Sequence, residues 1–445
     1  MTQSMTSTLP ALARLHAAAK GDCQQSFNNL MHLITEDLLE SAYRALNPKA
    51  AKGVDGESWE SYGEKLSPNL KALCVRLHKN QYRPQAVKRV WIPKENGQQR
   101  PIGITSLEDK IVQQALVRIL EPIYENDFLG FSYGFRPHRN QHNALDAVHM
   151  AITTKKVSWV LDADIQGFFD AIDHDWLMTL LKHRISDPRV LRLIKLTLTA
   201  GVLDNGSRTK TVIGTPQGAV ISPLLGNIYL HYVLDLWANQ WRNRHARGDM
   251  YIVRYADDSV FCFQYKSDGE RFQRALNERL NQFKLSLNQS KTHLFEFGRF
   301  AEANRKERGK GKPQTFDFLG FTHICSRKRS DGGFAVIRKT IAKRQRNKLK
   351  SIKVMLKKNY HEDPVEIGKW LKVVVQGYFN YHAVPGNLRV LDRFRTSVIQ
   401  MWIKSMRRRS QRGKAVPWRK FSRLIDCFIP KARAVHPYPN QRWRV

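Results

Sequence analysis

The heptad RYADDSV (254–260) lies between YIV and FCFQY, so Asp257 and Asp258 interrupt a run of apolar and aromatic residues that otherwise reads as buried strand. Charges within such a run are costly unless something neutralises them. A second acidic stretch, LDADIQGFFD (161–170), poses the same problem. Side chains alternate along a strand, so Asp162 and Asp164 share a face and Asp164 is the one nearer the strand end. Two strands that deliver Asp164, Asp257 and Asp258 at neighbouring ends would form a carboxylate cluster that cannot stay ionised unaided, and divalent cations are the usual remedy. Two magnesium ions held by such carboxylates are the usual apparatus for in-line attack of a sugar hydroxyl on a phosphate. The plainer reading of any one of these acids is a surface turn.

The flanking pattern predicts an α+β chain. Residues 26–46 carry apolar groups at helical spacing up to Asn47-Pro48. VKRVWI (87–92) reads as a strand, KENGQQ as a hairpin turn and RPIGI as the returning strand, which puts Lys94 and Arg100 on either side of one loop. Helices are expected over 107–125, 175–183 and 270–284, and WVLDADI (159–165) as a strand. TKTVIGTPQGAVISPLLGNIYLHYVLDLW should pass from strand through a Pro/Gly turn into a long apolar helix, and YIVRYADDSVFCFQY should form two strands about a turn. KERGKGKPQ (306–314) reads as a basic linker, and residues 337–358 and 388–406 as helices. In the last of these, Leu388, Leu391, Phe394, Val398 and Trp402 form a core stripe rather than a base-stacking platform.

Charge narrows the partners. The 445 residues hold 74 Lys and Arg against 39 Asp and Glu, a net +35. Residues 327–445 contribute 31 Lys or Arg and 6 Asp or Glu, so about +25 of that excess sits in the last quarter. A polyanion is the natural partner, because each phosphate neutralised releases counterions whatever the sequence. The five cysteines are far apart, without CxxC or Cys/His clusters, which points away from a zinc site or disulfide framework and towards a reducing compartment, the prokaryotic cytosol. The first residues lack a basic start leading into a sustained apolar core, and no run of about 18 apolar residues occurs, so neither export nor membrane insertion is expected.

Taken together, IPKENGQQRPIGI (92–104), FSYGFRPHRNQHNAL (131–145), LDADIQGFFDAID (161–173), GTPQGAVISPLLGNIYLH (214–231), YADD (255–258), LNQSKT (287–292) and FLGF (318–321) resemble the group II intron type of reverse transcriptase, the intron-encoded polymerase and maturase family. The resemblance covers about 53–321, and the basic tail with GYFNYH (377–382) matches the thumb more loosely. It implies a right-hand polymerase with a basic α-helical C-terminal region. Residues 1–155 would be an N-terminal extension and fingers, 156–325 the palm with the YADD hairpin, 326–405 a helical thumb like the maturase X region, and 406–445 a basic tail offering a DNA-binding region.

Residue by residue, the resemblance makes Asp164, Asp257 and Asp258 the catalytic metal ligands, joined by the backbone carbonyl of Ile165. Asp162 and Asp170 are weaker candidates, better suited to structural hydrogen bonding. Lys94 and Arg100 would hold the incoming triphosphate, a role suited to cations on a hairpin, although an exposed basic hairpin is the plainer alternative. Gln217 would pack on the nucleotide, Lys291 would lie near its phosphates, and Leu319, Gly320 and Phe321 would form the primer grip. Phe169 would lie under the sugar, where a ring collides with a 2′-hydroxyl and favours deoxynucleotides; ordinary core packing is the alternative.

The cofactors so implied are two magnesium ions, with manganese as a substitute. Partners are an RNA template, a DNA or RNA primer, dNTPs, the chain's own intron RNA and target DNA. The sequence departs from the family pattern at Ala219, where a second glycine is common, and at Gly226, where alanine is common. The ending HPYPNQRWRV leaves no room for the Cys/His-rich endonuclease of many relatives. The expected function is RNA-directed DNA synthesis with assistance to intron splicing and retromobility. The alternatives are a domesticated relative in DNA repair or phage defence, and an RNA-binding splicing cofactor with an idle polymerase.

Overall fold

The computed structural model describes residues 5–93, 97, 99–204, 206–209, 211–409 and 418–442. The chain divides into two compact units: Met1–Ala144, Leu161–Phe261 and Ser267–His293 form the first, and Leu145–Val160, Cys262–Lys266 and Leu294–Val445 the second.

In the first unit, helix Leu107–Asp127 is the central rod, against which helices Met5–Gly21 and Glu36–Ala45 pack. Its start is fixed by Ser106, whose hydroxyl accepts the Asp109 N–H as an N-cap. The helix expected over 26–46 is divided. A short 3-10 turn, Met31–Leu33, precedes helix Glu36–Ala45, because the Thr35 hydroxyl caps that helix through the Leu38 N–H. The carboxylate of Asp187 takes the Leu30 and Met31 N–H groups at 2.8 and 2.9 Å, satisfying backbone that a continuous helix would have paired internally.

One sheet of this unit orders its strands Gln99–Ile104, Val87–Pro93, Val202–Asp204 and Ser207–Thr209. Its hairpin pairs Lys88 with Ile104 through Pro93 with Gln99, as the sequence predicted. The strand expected through TKTVIG ends at Thr209; Ile213 makes only an isolated bridge to Asp173. In the other sheet, Met250–Tyr255, Asp258–Phe263 and Trp159–Asp164 are neighbours in that order. The long helix after the Pro/Gly turn comes in three parts, Ser222–Leu230, a π-helical turn His231–Asp235, and Leu236–His245.

The second unit holds a three-stranded antiparallel sheet ordered Phe334–Thr340, Phe321–Arg327, Phe316–Phe318. Phe334–Thr340 corrects the expectation of helix from 337. Val336, Arg338 and Thr340 alternate inward while Ile337 pairs with Ile324, a period-two pattern that local helical spacing concealed. Helix begins at Ala342 and runs to Lys358, followed by Pro364–His382, Leu388–Arg407 and Trp418–Phe428. Leu391, Phe394, Val398 and Trp402 are wholly buried and Leu388 packs at the edge, so the predicted stripe is core. Tyr378 stacks on Phe394 with ring centroids 3.9 Å apart, and Phe421 and Ile425 of helix Trp418–Phe428, with Ile429 just beyond it, close the same cluster. Burying each such side chain contributes roughly 1.5–3 kcal/mol. The mixture of helices and sheets is the α+β class expected of a right-hand polymerase.

Candidate active site

The site is organised around the turn that joins Met250–Tyr255 to Asp258–Phe263. Ala256 stands there at φ 56°, a left-handed conformation that is strained for a residue with a side chain. What holds it is Arg254, which is fully buried. Its Nη1 donates to the Ala256 carbonyl at 2.9 Å and to Asn227 Oδ1 at 3.0 Å, while its Nε donates to Asp235 Oδ1 at 2.7 Å. The π-helical turn brings Asp235 inward to that guanidinium, and Asp235 is fully buried as well.

The network continues into FSYGF. Asn227 Nδ2 donates to the Gly134 carbonyl at 2.7 Å, the Tyr133 N–H to the Arg254 carbonyl at 2.8 Å, and the Arg254 N–H to the Phe131 carbonyl at 2.9 Å. Gly134 passes so near the turn that a Cβ there would lie 2.3 Å from the Ala256 nitrogen, so only glycine fits. Reading the sequence for acids missed Arg254, Asp235, Asn227 and Gly134. A signal was present: an arginine in an otherwise apolar strand is as anomalous as the two aspartates beside it.

Asp257 is half-buried and Asp258 is exposed at the start of its strand. Burial pushes the Asp257 carboxyl above its ordinary range, and the charge of Asp164 raises it further, with Arg100 and Arg254 opposing. Asp164 and Asp257 therefore form an interacting like-charge pair. Lys291 Nζ lies 3.0 Å from Asp164 Oδ2, which partly offsets that repulsion. Among the described residues no three His, Cys, Asp or Glu side chains are already gathered as a metal-ligand set.

The donor chemistry nonetheless suits a hard divalent cation. Two carboxylates repel one another, and the Ile165 backbone carbonyl follows Asp164 in the chain. The bridge between Ile165 and Leu287 is made by their neighbours, with Gln166 N–H donating to Ser286 O and Asn288 N–H to Asp164 O, so it does not consume the Ile165 carbonyl.

Around this pair lies a polar chain. Arg100 Nε donates to Gln217 Oε1 at 2.6 Å, and Gln217 Nε2 donates to Asp170 Oδ2 at 3.1 Å. Phe169 is half-buried, its ring centroid 5.1 Å from that of Phe168. Lys94 lies outside the described residues.

In the second unit, Leu319 and Gly320 form the turn between Phe316–Phe318 and Phe321–Arg327, and Phe321 opens the second strand. The Tyr381 hydroxyl donates to the Leu319 carbonyl at 2.8 Å, and its ring stacks on Phe321 with centroids 5.8 Å apart. That gives GYFNYH a task in supporting this turn.

Comparison with known proteins agrees with the geometry. The family described as reverse transcriptase (RNA-dependent DNA polymerase) matches residues 92–323. Protein YkfC of Escherichia coli K12 is 36% identical over 317 residues, 63% of this chain and 83% of that protein. Group II intron-encoded protein LtrA of Lactococcus lactis subsp. cremoris is 36% identical over 241 residues, covering 52% of this chain and 39% of LtrA. Nuclear intron maturase 2 of Arabidopsis thaliana is 32% identical over 111 residues, 24% of this chain and 15% of the maturase. The matched segment spans the basic hairpin, both acidic strands, the turn that Arg254 holds and FLGF, and with that the chain belongs to the reverse transcriptase family.

Proposed function

We propose that the chain is an RNA-directed DNA polymerase of the group II intron type, which extends a DNA or RNA primer on an RNA template with dNTPs and assists splicing and retromobility of its intron RNA. The observation that carries the reading is the interacting pair Asp164 and Asp257 beside a turn locked by Arg254. Relatives named group II intron-encoded protein and intron maturase support the intron role.

In this reading Asp164, Asp257, Asp258 and the Ile165 carbonyl would hold two magnesium ions, with manganese as a substitute. When bound, these ions supply the positive charge that favours the primer alkoxide and stabilises the charge building on the phosphate. The chain's own residues do the rest. Arg100, already anchored on Gln217, together with Lys94, grips the triphosphate oxygens, and the planar guanidinium suits that task. Gln217, itself held by Asp170, supports the nucleotide. Lys291, whose Nζ lies 3.0 Å from Asp164 Oδ2, would be the lysine beside the nucleotide phosphates. Phe169 excludes a 2′-hydroxyl by bulk, and Leu319, Gly320 and Phe321 steady the primer end. The basic helical faces of 326–405 track template and primer, and the 406–445 tail is available to target DNA.

Among the described residues no helix is long and apolar enough to cross a membrane. The five cysteines are free thiols, which suits the prokaryotic cytosol. The test is primer extension. With poly(rA), oligo(dT) and magnesium the protein is expected to incorporate dTTP, and incorporation should need the RNA template. Failure to extend under these conditions, with the duplex bound, would overturn the polymerase reading.

A further inference from the structure

Helices Leu236–His245 and Lys266–Gln282 leave two adjoining hollows on the first unit, of about 520 and 610 Å³. Trp237 and Arg279 line both. Arg271, Arg274 and His245 line the first, and Arg244 the second. Neither hollow contains a residue assigned to polymerisation.

Their chemistry is one-sided. Arg279 donates from Nε to the Val233 carbonyl at 3.0 Å and from Nη2 to the Tyr232 carbonyl at 3.2 Å, and its guanidinium lies 4.5 Å from the centre of the Phe283 ring. These contacts fix the cation and leave its charge uncompensated: among the described residues no carboxylate forms an ion pair with Arg279, Arg274 or Arg244. Arg271 is held differently, on Asp268 at 2.6 Å and over the Trp241 ring. Glu278 is the lone acid of the lining. Trp237 is half-buried, lines both hollows and packs on Phe272, with centroids 5.4 Å apart, so its ring is a supported platform.

We infer that this groove is a second nucleic-acid site, which takes a single strand of RNA with a base stacked on Trp237 and phosphates on Arg244, Arg274 and Arg279. An unpaired strand carries both phosphates and flat apolar faces, and the groove sets the fixed Arg279 and the exposed Arg244 and Arg274 around a supported indole. An acidic peptide would satisfy the cations but offers nothing flat to the ring. The choice of RNA as the polyanion rests on the polymerase reading; the site itself rests on the groove.

The test uses the full chain saturated with a blunt 12-base-pair RNA–DNA duplex, so that the polymerase cleft is filled. Binding of a labelled 12-nucleotide oligo(U) is then followed by anisotropy against salt. Wild-type protein is expected to bind this second strand. The exposed double variant Arg244→Ala/Arg274→Ala should bind about tenfold more weakly, with a log–log salt slope shallower by about 1.4, since each single-strand phosphate contact accounts for about 0.7. Trp237→Leu should weaken binding by about fivefold or more with the slope unchanged, since stacking is not an ionic effect. Both variants should keep the wild-type melting temperature and a kcat/KM for dTTP within about twofold. Oligo(U) affinity unchanged in both variants would overturn the site. So would displacement of oligo(U) by a glutamate 12-mer together with an inert Trp237→Leu, because that pattern describes a surface for acidic protein. Loss of dTTP incorporation in wild-type protein with groove binding intact would sink the polymerase reading and leave the groove standing.

Discussion

The carboxylate turn of the first unit and the helical part of the second use charge in opposite ways. Around the turn, charge is inside: Arg254 and Asp235 are buried and bonded to one another, and Arg254 also donates to the buried amide of Asn227 and to the Ala256 carbonyl. In the helical part the interior is almost wholly apolar, from Ile352 through Trp402 to Ile429, and the abundant Lys and Arg of these helices lie mostly on the outside. A buried ion pair is a poor way to gain stability, because desolvation offsets most of its attraction. Its value here is direction, since a guanidinium with several fixed acceptors holds a strained backbone carbonyl where a methyl group could not. A platform that only needs to present cations to a polyanion requires no such precision, and an apolar stripe is enough.

Breaking the buried pair should give the largest effect. Arg254→Met leaves Asp235 buried without its partner and should cost about 3–5 kcal/mol, read as a lowered denaturation midpoint. Arg254→Met combined with Asp235→Leu should recover most of that stability. Activity should stay low in the double variant, because nothing then donates to the Ala256 carbonyl. A double variant that regains both stability and polymerisation would show that the pair is only structural.

Acid should probe the second unit. Burial, with the nearby charges of Arg338 and His149, lowers His323 from 6.5 to about 3; burial, with Arg338 contributing, lowers His149 to about 4. Arg338 is itself paired with Asp146, which also meets Arg442. Both imidazoles stay neutral in the folded chain and would take protons on unfolding below pH 6.5. Stability is therefore full above pH 6.5 and declines as pH falls towards 3, with His323 alone accounting for about 2 kcal/mol at pH 5. His323→Phe should flatten this acid limb in a series of melting curves. An unchanged limb would mean that other groups set it.

Two smaller effects concern the sugar pocket. Phe169→Val should raise UTP use by about 10-fold, equivalent to roughly 1.4 kcal/mol, with only a modest loss of dTTP use. If Phe169 is ordinary core, the variant should instead melt early and keep its dTTP-to-UTP ratio. Gly226 refines this further. A Cβ at that position would lie 3.0 Å from Phe169 Cε1 and 3.1 Å from Phe168 Cε1, so Gly226→Ala must displace the rings. The dTTP-to-UTP ratio should shift by roughly threefold, about 0.7 kcal/mol. A normal ratio would place the ring outside the sugar pocket.

Much of this was legible in sequence because it is local. Alternating strands, the pairing of Val87–Pro93 with Gln99–Ile104, the apolar stripe from Leu388 to Trp402 and the acids themselves follow from spacing within a few residues. The supports of the site are not local: Arg254 meets Asn227 and Asp235 across 27 and 19 residues, and Asn227 reaches Gly134 across 93. No period in the sequence encodes those partners. The misread segments failed for a related reason. Helical spacing over 26–34 and 337–340 was overridden by Asp187, 156 residues and more away, and by pairing with Phe321–Arg327. The groove beside Trp237 was likewise invisible until two helices, each ordinary alone, brought their arginines together.

The most direct measurement is single-turnover extension of oligo(dT) on poly(rA) by Asp257→Ala alongside duplex binding by the same protein. If Asp257 belongs to the centre that stabilises the reacting phosphate, extension should fall below detection while the Kd for the duplex stays within about threefold of wild type, because phosphate contacts elsewhere hold the template. Robust extension by Asp257→Ala at wild-type duplex affinity would contradict the assignment of the turn as the catalytic centre.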